Sequence, residues 1–249
     1  MDKAIGIIGG VGPYAGLDLV RKVFDHTNAK TDQEHIDLYL VSCPSLIPDR
    51  TEYLLHDGAN PAGGLSICFG KLAKCGATAI AVACNTAHAP KILDQMLGSV
   101  GREYPQVRFV NMIDETCKVL QRLFPDGGKV GLLATMGTHQ TGVYRRYMER
   151  YEQLELVEPD AAGQGRVHAA IYDRAFGIKA KSPVSSEAKT ILRNEAMHLV
   201  ERGAGAIVLG CTELPLALSE DMVPCNLIDP TDCVARALVL DVAPEKFKE

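Results

Sequence analysis

The sequence contains no tryptophan, no Cys-x-x-Cys pair and no cluster of lysine and arginine, and none of its apolar runs approaches the roughly 20 residues that a membrane span needs. Each absence removes a class of protein. Without paired cysteines at metal-ligand spacing, its eight cysteines read poorly as a zinc site or a disulfide framework, so reduced thiols are expected. Most of them, Cys43, Cys68, Cys75, Cys117, Cys225 and Cys233, need no function, because a buried thiol packs as a small hydrophobe. A net charge of −5 without a basic patch leaves no electrostatic footprint for nucleic acid. Met1 leads through a short polar stretch into an apolar run at 5–8, without the charged, apolar and cleavage regions of a secretory leader. A cytoplasmic protein that binds neither membrane nor nucleic acid is expected. The sequence also lacks a dinucleotide fingerprint, a phosphate loop, a metal-ligand cluster and a lysine signature for pyridoxal phosphate, which predicts no cofactor and no metal.

What is present is the composition of a globular core, 47% hydrophobic and 23% charged, over a length that suits one large domain or two of about 100–120 residues. Short apolar runs bounded by turn residues at 4–8, 37–41, 79–83, 109–112, 129–134 and 206–209, with a weaker one at 154–157, predict buried parallel strands. Helical spacing at 17–28, 60–75, 114–123, 143–151 and 187–202 lies between them. Alternating strand and helix predict an α/β fold with right-handed crossovers.

The second half also repeats the first. Segment 6–12 (GIIGGVG) lies over 131–137 (GLLATMG) at an offset of 125, and segment 79–86 (AIAVACNT) lies over 206–213 (AIVLGCTE) at an offset of 127. The repeat predicts two similar parallel-sheet α/β domains related by a pseudo-twofold axis, with the active site in the interdomain cleft. The expected boundaries are 1–112 plus 228–249 for one domain and 113–227 for the other. Each domain then supplies a strand ending in a cysteine, Cys84 or Cys211. Ligands of open α/β sheets bind beyond the carboxyl ends of the strands, which brings both thiols to the cleft.

Two opposed thiols suggest proton transfer at carbon. Inverting a stereocentre by deprotonation needs a base on one face and an acid on the other, and two like groups let the reaction run both ways. A thiol at a helix N-terminus is favoured as the thiolate, and a helix is expected to follow each cysteine. Asn85-Thr86 and Thr212-Glu213 carry hydrogen-bonding side chains suited to such turns, and nearby backbone amides there would bind a substrate carboxylate.

Other polar residues have two readings. The loop Gly9-Gly10-Val11-Gly12-Pro13 would cradle an anion or simply turn the chain. Arg50 follows the second strand in a loop, where it would form a bidentate pair with a carboxylate or lie on the surface. Arg166, His168 and Tyr172 lie before or within a helix and have an equal claim as a solvated face. His88 reads as a packing residue rather than a base.

Gly9-Gly10-Val11-Gly12-Pro13, Ile47-Pro48-Asp49-Arg50-Thr51, Ala83-Cys84-Asn85-Thr86-Ala87-His88 and Gly210-Cys211-Thr212-Glu213-Leu214-Pro215, in this order and covering nearly the whole chain, resemble the aspartate/glutamate racemase family, and most of all its aspartate branch. The resemblance implies a cofactor-independent enzyme, often a homodimer, that interconverts L- and D-aspartate. Cys84 and Cys211 would exchange the α-proton, and Val11, Asn85, Thr86, Ala87, Thr212 and Glu213 would line the site. Arg50 matches the position expected to hold a substrate carboxylate, and Arg166 is matched to a second basic residue, with Lys179 or Arg174 as alternatives. Glutamate racemases carry an acidic residue in the first glycine loop and a histidine after the second Cys-Thr, whereas this chain has Val11 and Glu213. Glutamate is therefore the lesser expectation. Hydantoin racemase and maleate isomerase chemistry, and a non-catalytic amino-acid-binding protein, are the competing functions.

Overall fold

The computed structural model describes residues 3–151 and 153–248. Its main elements, in chain order, are β1 (Ala4–Gly9), α1 (Pro13–Asp25), β2 (Leu38–Ser42), α2 (Arg50–Leu55), α3 (Ala62–Cys75), β3 (Ala77–Val82), α4 (Pro90–Glu103), β4 (Arg108–Phe109), α5 (Met112–Leu123), β5 (Gly128–Ala134), α6 (Met136–Gln140), α7 (Val143–Met148), β6 (Leu154–Val157), α8 (Ala161–Tyr172), α9 (Ser186–Glu201), β7 (Ala206–Gly210), β8 (Asn226–Ile228) and α10 (Pro230–Val242). The chain divides into two compact units: residues up to Glu115 together with those from Thr231 onward, and Thr116–Pro230. Among the described residues no helix is long and apolar enough to cross a membrane.

Each unit is built on a four-stranded parallel sheet, in the order β2-β1-β3-β4 in the first and β6-β5-β7-β8 in the second. The central strands are apolar without alternation because helices cover both faces. In the first unit Ile5, Ile7, Ala79 and Ala81 pack with Leu19 and Val23 of α1 and Leu238 and Val239 of α10. Ile8, Ile80 and Val82 point the other way, onto Leu65, Phe69 and Leu72 of α3 and Ile92 and Met96 of α4. In the second unit Leu133, Ile207 and Leu209 pack with Val167 and Ile171 of α8 and Leu192 and Leu199 of α9.

The sequence repeat recurs in the strand pairing. The pairs Ile5↔Ala79, Gly6↔Ile80, Ile7↔Ala81 and Ile8↔Val82 of β1 with β3 reappear as Val130↔Ala206, Gly131↔Ile207, Leu132↔Val208 and Leu133↔Leu209 of β5 with β7. Gly6 and Gly131 occupy one position of this plan for the same steric reason. A Cβ on Gly6 would lie 2.8 Å from Ile80 Cγ1, 2.9 Å from Ala77 Cβ and 3.3 Å from Leu72 Cβ; on Gly131 it would lie 3.0 Å from Ile207 Cγ1, 3.1 Å from Leu199 Cδ1 and 3.3 Å from Ala204 Cβ. Glycine lets α3 and α9 seat directly on their sheets, and the three neighbours correspond one to one.

Several local expectations are corrected. The run at 109–112 is not one strand: β4 ends at Phe109, and Asn111 Oδ1 accepts from the amides of Ile113 and Asp114, which caps the chain into α5. The first helix opens at Pro13, whose fixed φ suits a first helical position, rather than at residue 17. Arg50 is not a loop residue on the surface. Asp49 accepts from the amides of Thr51 and Glu52 and starts α2 there, leaving Arg50 buried at its first position. No α-helix follows Cys211, where 3-10 turns at Leu214–Leu216 and Glu220–Met222 lead into β8. Pro215 and Pro224 interrupt that short stretch. After Cys84 a 3-10 turn, Thr86–His88, precedes α4, which begins only at Pro90. Neither thiol therefore has an α-helix N-terminus directly after it, contrary to the expectation.

Candidate active site

In the first unit the end of β1 turns through Gly10 and Gly12, at φ 75° and 134°. A side chain at Gly10 would meet the backbone nitrogens of Cys43 and Pro44 at 2.9 Å, so glycine is required on both steric and conformational grounds. Val11 is buried between the two glycines, and its carbonyl accepts from the Arg50 guanidinium at 2.9 Å. A second bond of 3.3 Å from Arg50 to the Pro48 carbonyl fixes the guanidinium plane. The glycine loop and the start of α2 are thus held together by one arginine.

Cys84 lies just beyond β3, with the ladder extended by Ala83, whose amide donates to Ile8 O at 3.1 Å. The thiol residue is buried, as are Asn85, Thr86, Ala87 and His88 after it. His88 Nδ1 lies 2.9 Å from the Cys84 carbonyl, and its Nε2 accepts from the Met112 amide at 3.3 Å. Those partners make Nδ1 the protonated nitrogen. Complete burial pushes the His88 pKa down to about 4, against the opposing pull of backbone hydrogen bonds at Cys84 and Asn85. A neutral imidazole with both nitrogens engaged ties the cysteine turn to the start of α5.

In the second unit Cys211 follows β7 and is also buried. Its thiol donates to Glu213 Oε2 at 3.1 Å, the Thr212 hydroxyl donates to the same oxygen at 3.4 Å, and Lys179 Nζ donates to Glu213 Oε1 at 2.6 Å. Burial, and then the Glu213 charge, raise the Cys211 pKa well above the ordinary thiol value, with Lys179 opposing. The ammonium of Lys179 also lies 5.4 Å from the centre of the Tyr172 ring, which stacks on His168 at 4.7 Å. His168 Nδ1 accepts from the Met136 amide at 3.4 Å, joining α8 to the loop that corresponds to the first unit's glycine loop. Arg166 turns elsewhere, to Glu195 of α9 at 2.6 Å, with its side chain about half exposed.

The structure thus brings Val11 to Arg50, sets Asn85, Thr86 and Ala87 beside Cys84, and joins Cys211, Thr212, Glu213 and Lys179. Arg166 is not part of that last group. The hydrogen bond from Cys211 to Glu213 had no sequence counterpart beyond an acid two residues after a cysteine. The two-sided clamp of His88 depends on Met112, which is remote in sequence. Among the described residues no three His, Cys, Asp or Glu side chains gather as a metal ion would require.

Residues 8–238 match the family described as Asp/Glu/Hydantoin racemase, and the chain belongs to that family. The aspartate racemase of Picrophilus torridus superposes with a TM-score of 0.77 at 30% identity, over 96% of this chain and 94% of that one. An aspartate racemase homologue from Pyrococcus horikoshii gives 0.71 at 26% identity, over 97% and 99%. In sequence the chain is 25% identical to the broad specificity amino-acid racemase of Bacillus subtilis, over 94% of this chain and 96% of that protein.

Proposed function

We propose that the protein is a cofactor-independent racemase of a free acidic amino acid, aspartate before glutamate, with Cys84 and Cys211 as the two proton carriers. The observation that carries this reading is the common placement of the two cysteines, each beyond the strand that pairs with the repeated glycine strand in a sheet of the same order and register.

The reaction divides into two proton movements. Burial and Glu213 favour the thiol at Cys211, which suits it to the acid's part, and the base's part falls to Cys84. The Cys84 thiolate removes the α-proton from one face, and the electron pair passes into the α-carboxylate as the carbanion forms. Cys211 returns a proton to the other face and becomes the thiolate. Lys179 then counters the charge gathering on Cys211 and Glu213. Asn85, Thr86, Ala87 and Thr212 bind the α-carboxylate and ammonium, while Arg50, its plane fixed by Val11 and Pro48, takes the side-chain carboxylate. Lys179 replaces Arg166 as the second basic group, since it is the one joined to the Cys211 motif.

The Picrophilus and Pyrococcus relatives support aspartate, and the Bacillus relative supports a wider amino-acid range. Incubation of the purified protein with L-aspartate, and separately L-glutamate, in D₂O without added cofactor separates these. Loss of the α-proton signal with D-aspartate on chiral chromatography is expected. Comparable rates with neutral amino acids would favour the wider range. Binding of aspartate without any exchange would leave a binding protein instead.

A further inference from the structure

A second pair of thiols, distinct from the proposed proton carriers, stands beside a cation. Cys43 follows β2 and is half-buried; Cys68 lies on α3 and is fully buried. Cys43 packs against the apolar cluster that contains Cys68, and the two thiols interact electrostatically. Lys71, one turn beyond Cys68 on the same face of α3, donates to Cys43 Sγ at 3.7 Å. A partly exposed cysteine, an ammonium on its sulfur and a second, buried cysteine in the cluster it packs against make up the parts of a peroxide-sensing thiol pair.

We propose that Cys43 and Cys68 are an oxidant-sensitive pair in which a hydroperoxide oxidises Cys43 and Cys68 resolves the product as a disulfide. In the first step the Cys43 sulfur attacks one peroxide oxygen and the O–O bond breaks. Cys43 becomes a sulfenic acid, and the other oxygen leaves as water after taking the thiol proton. In the second step the Cys68 sulfur attacks the sulfenic sulfur. The S–S bond forms, the S–O bond breaks, and the leaving hydroxide departs as water with the Cys68 proton. Overall two thiols lose two electrons and two protons, and one hydrogen peroxide becomes two waters. Lys71 Nζ stands 3.7 Å from the attacking sulfur. Cys43 is partly exposed and Cys68 fully buried, so the peroxide meets Cys43 first, in keeping with the burial that pushes the Cys68 thiol up to about 11. The backbone nitrogen of Cys43 lies against Gly10, next to Val11 in the glycine loop.

Trypsin is expected to release residues 31–50 and 51–71 as separate fragments, with Cys43 and Cys68 as their respective cysteines. The full-length protein is exposed to excess hydrogen peroxide, blocked with iodoacetamide and digested without reductant. The expected product joins 31–50 to 51–71, two hydrogens lighter than the sum, and dithiothreitol releases it. Cys43→Ser should abolish the product. Cys68→Ala, checked for native circular dichroism, should stop at a sulfenic acid that dimedone captures on 31–50. If Cys43 remains fully alkylated while the exposed Cys75 is oxidised, or if Cys43 links only to a cysteine other than Cys68, the pair is wrong. The readout is covalent and does not depend on racemase activity.

Discussion

Cys211 and Glu213 share a hydrogen bond in which the carboxylate accepts, so removal of the negative charge should release the thiol proton more easily. Glu213→Gln is expected to move the pH midpoint of Cys211 alkylation by iodoacetamide downward, because the raising charge is gone and Lys179 remains to lower it. Peptide mass spectrometry resolves the alkylation of Cys211 from that of the other thiols. An unchanged or raised midpoint would mean that burial alone holds the proton. Cys84→Ser and Cys211→Ser should each leave aspartate affinity within a few-fold and reduce racemisation about a thousandfold, within the range of a lost acid–base group. Binding measured by calorimetry and turnover measured by chiral chromatography separate the two effects.

At the level of the element, the paired glycines make a prediction that involves no catalytic group. Gly6→Ala and Gly131→Ala each drive a methyl into a helix and a neighbouring strand, with the closer approach at Gly6. Both should destabilise by about 1–3 kcal/mol, Gly6→Ala the more, as read from urea unfolding midpoints. His88 adds a pH dependence. Its folded pKa, near 4, lies below the ordinary 6.5, so the unfolded chain takes up a proton first as the pH falls. The His88 contribution is unchanged above pH 6.5. Stability is then lost progressively down to about pH 4, by about 3 kcal/mol in all. The unfolding free energy of His88→Gln, compared with that of the native protein at pH 7.5 and 4.5, should fall less between the two. Legibility in the sequence followed the same division of elements. The central strands were readable because both their faces are covered, which makes them continuously apolar, and the offsets 125 and 127 carried the register. The edge strand β8 and the short helices α2 and α6 were not readable, because side-chain caps such as Asp49 and Thr135 decide them rather than periodicity. The cysteine turns were visible as motifs. Their hydrogen bonds were not, since Lys179 and Met112 reach them across 34 and 24 residues of chain.

For the whole molecule, the family resemblance makes a homodimer the expected assembly, and light scattering should return twice the 26.9 kDa of one chain. A mass of one chain would show that the monomer suffices in solution. The two units share a sheet plan yet surround their cysteines differently: His88 holds the first turn by its backbone, and a carboxylate holds the second by its thiol. For a racemase this difference has a kinetic signature. The two enantiomers have equal free energy in solution, so the ratio kcat/KM must be the same in both directions whatever the site looks like. In the proposed mechanism, a free enzyme with Cys211 as the thiol and Cys84 as the thiolate is ready for one enantiomer, and it exchanges protons, quickly compared with the chemical step, before it accepts the other. The enantiomer that fits the resting form should saturate at lower concentration and turn over more slowly. Its mirror image should show both a higher KM and a higher kcat, in equal proportion.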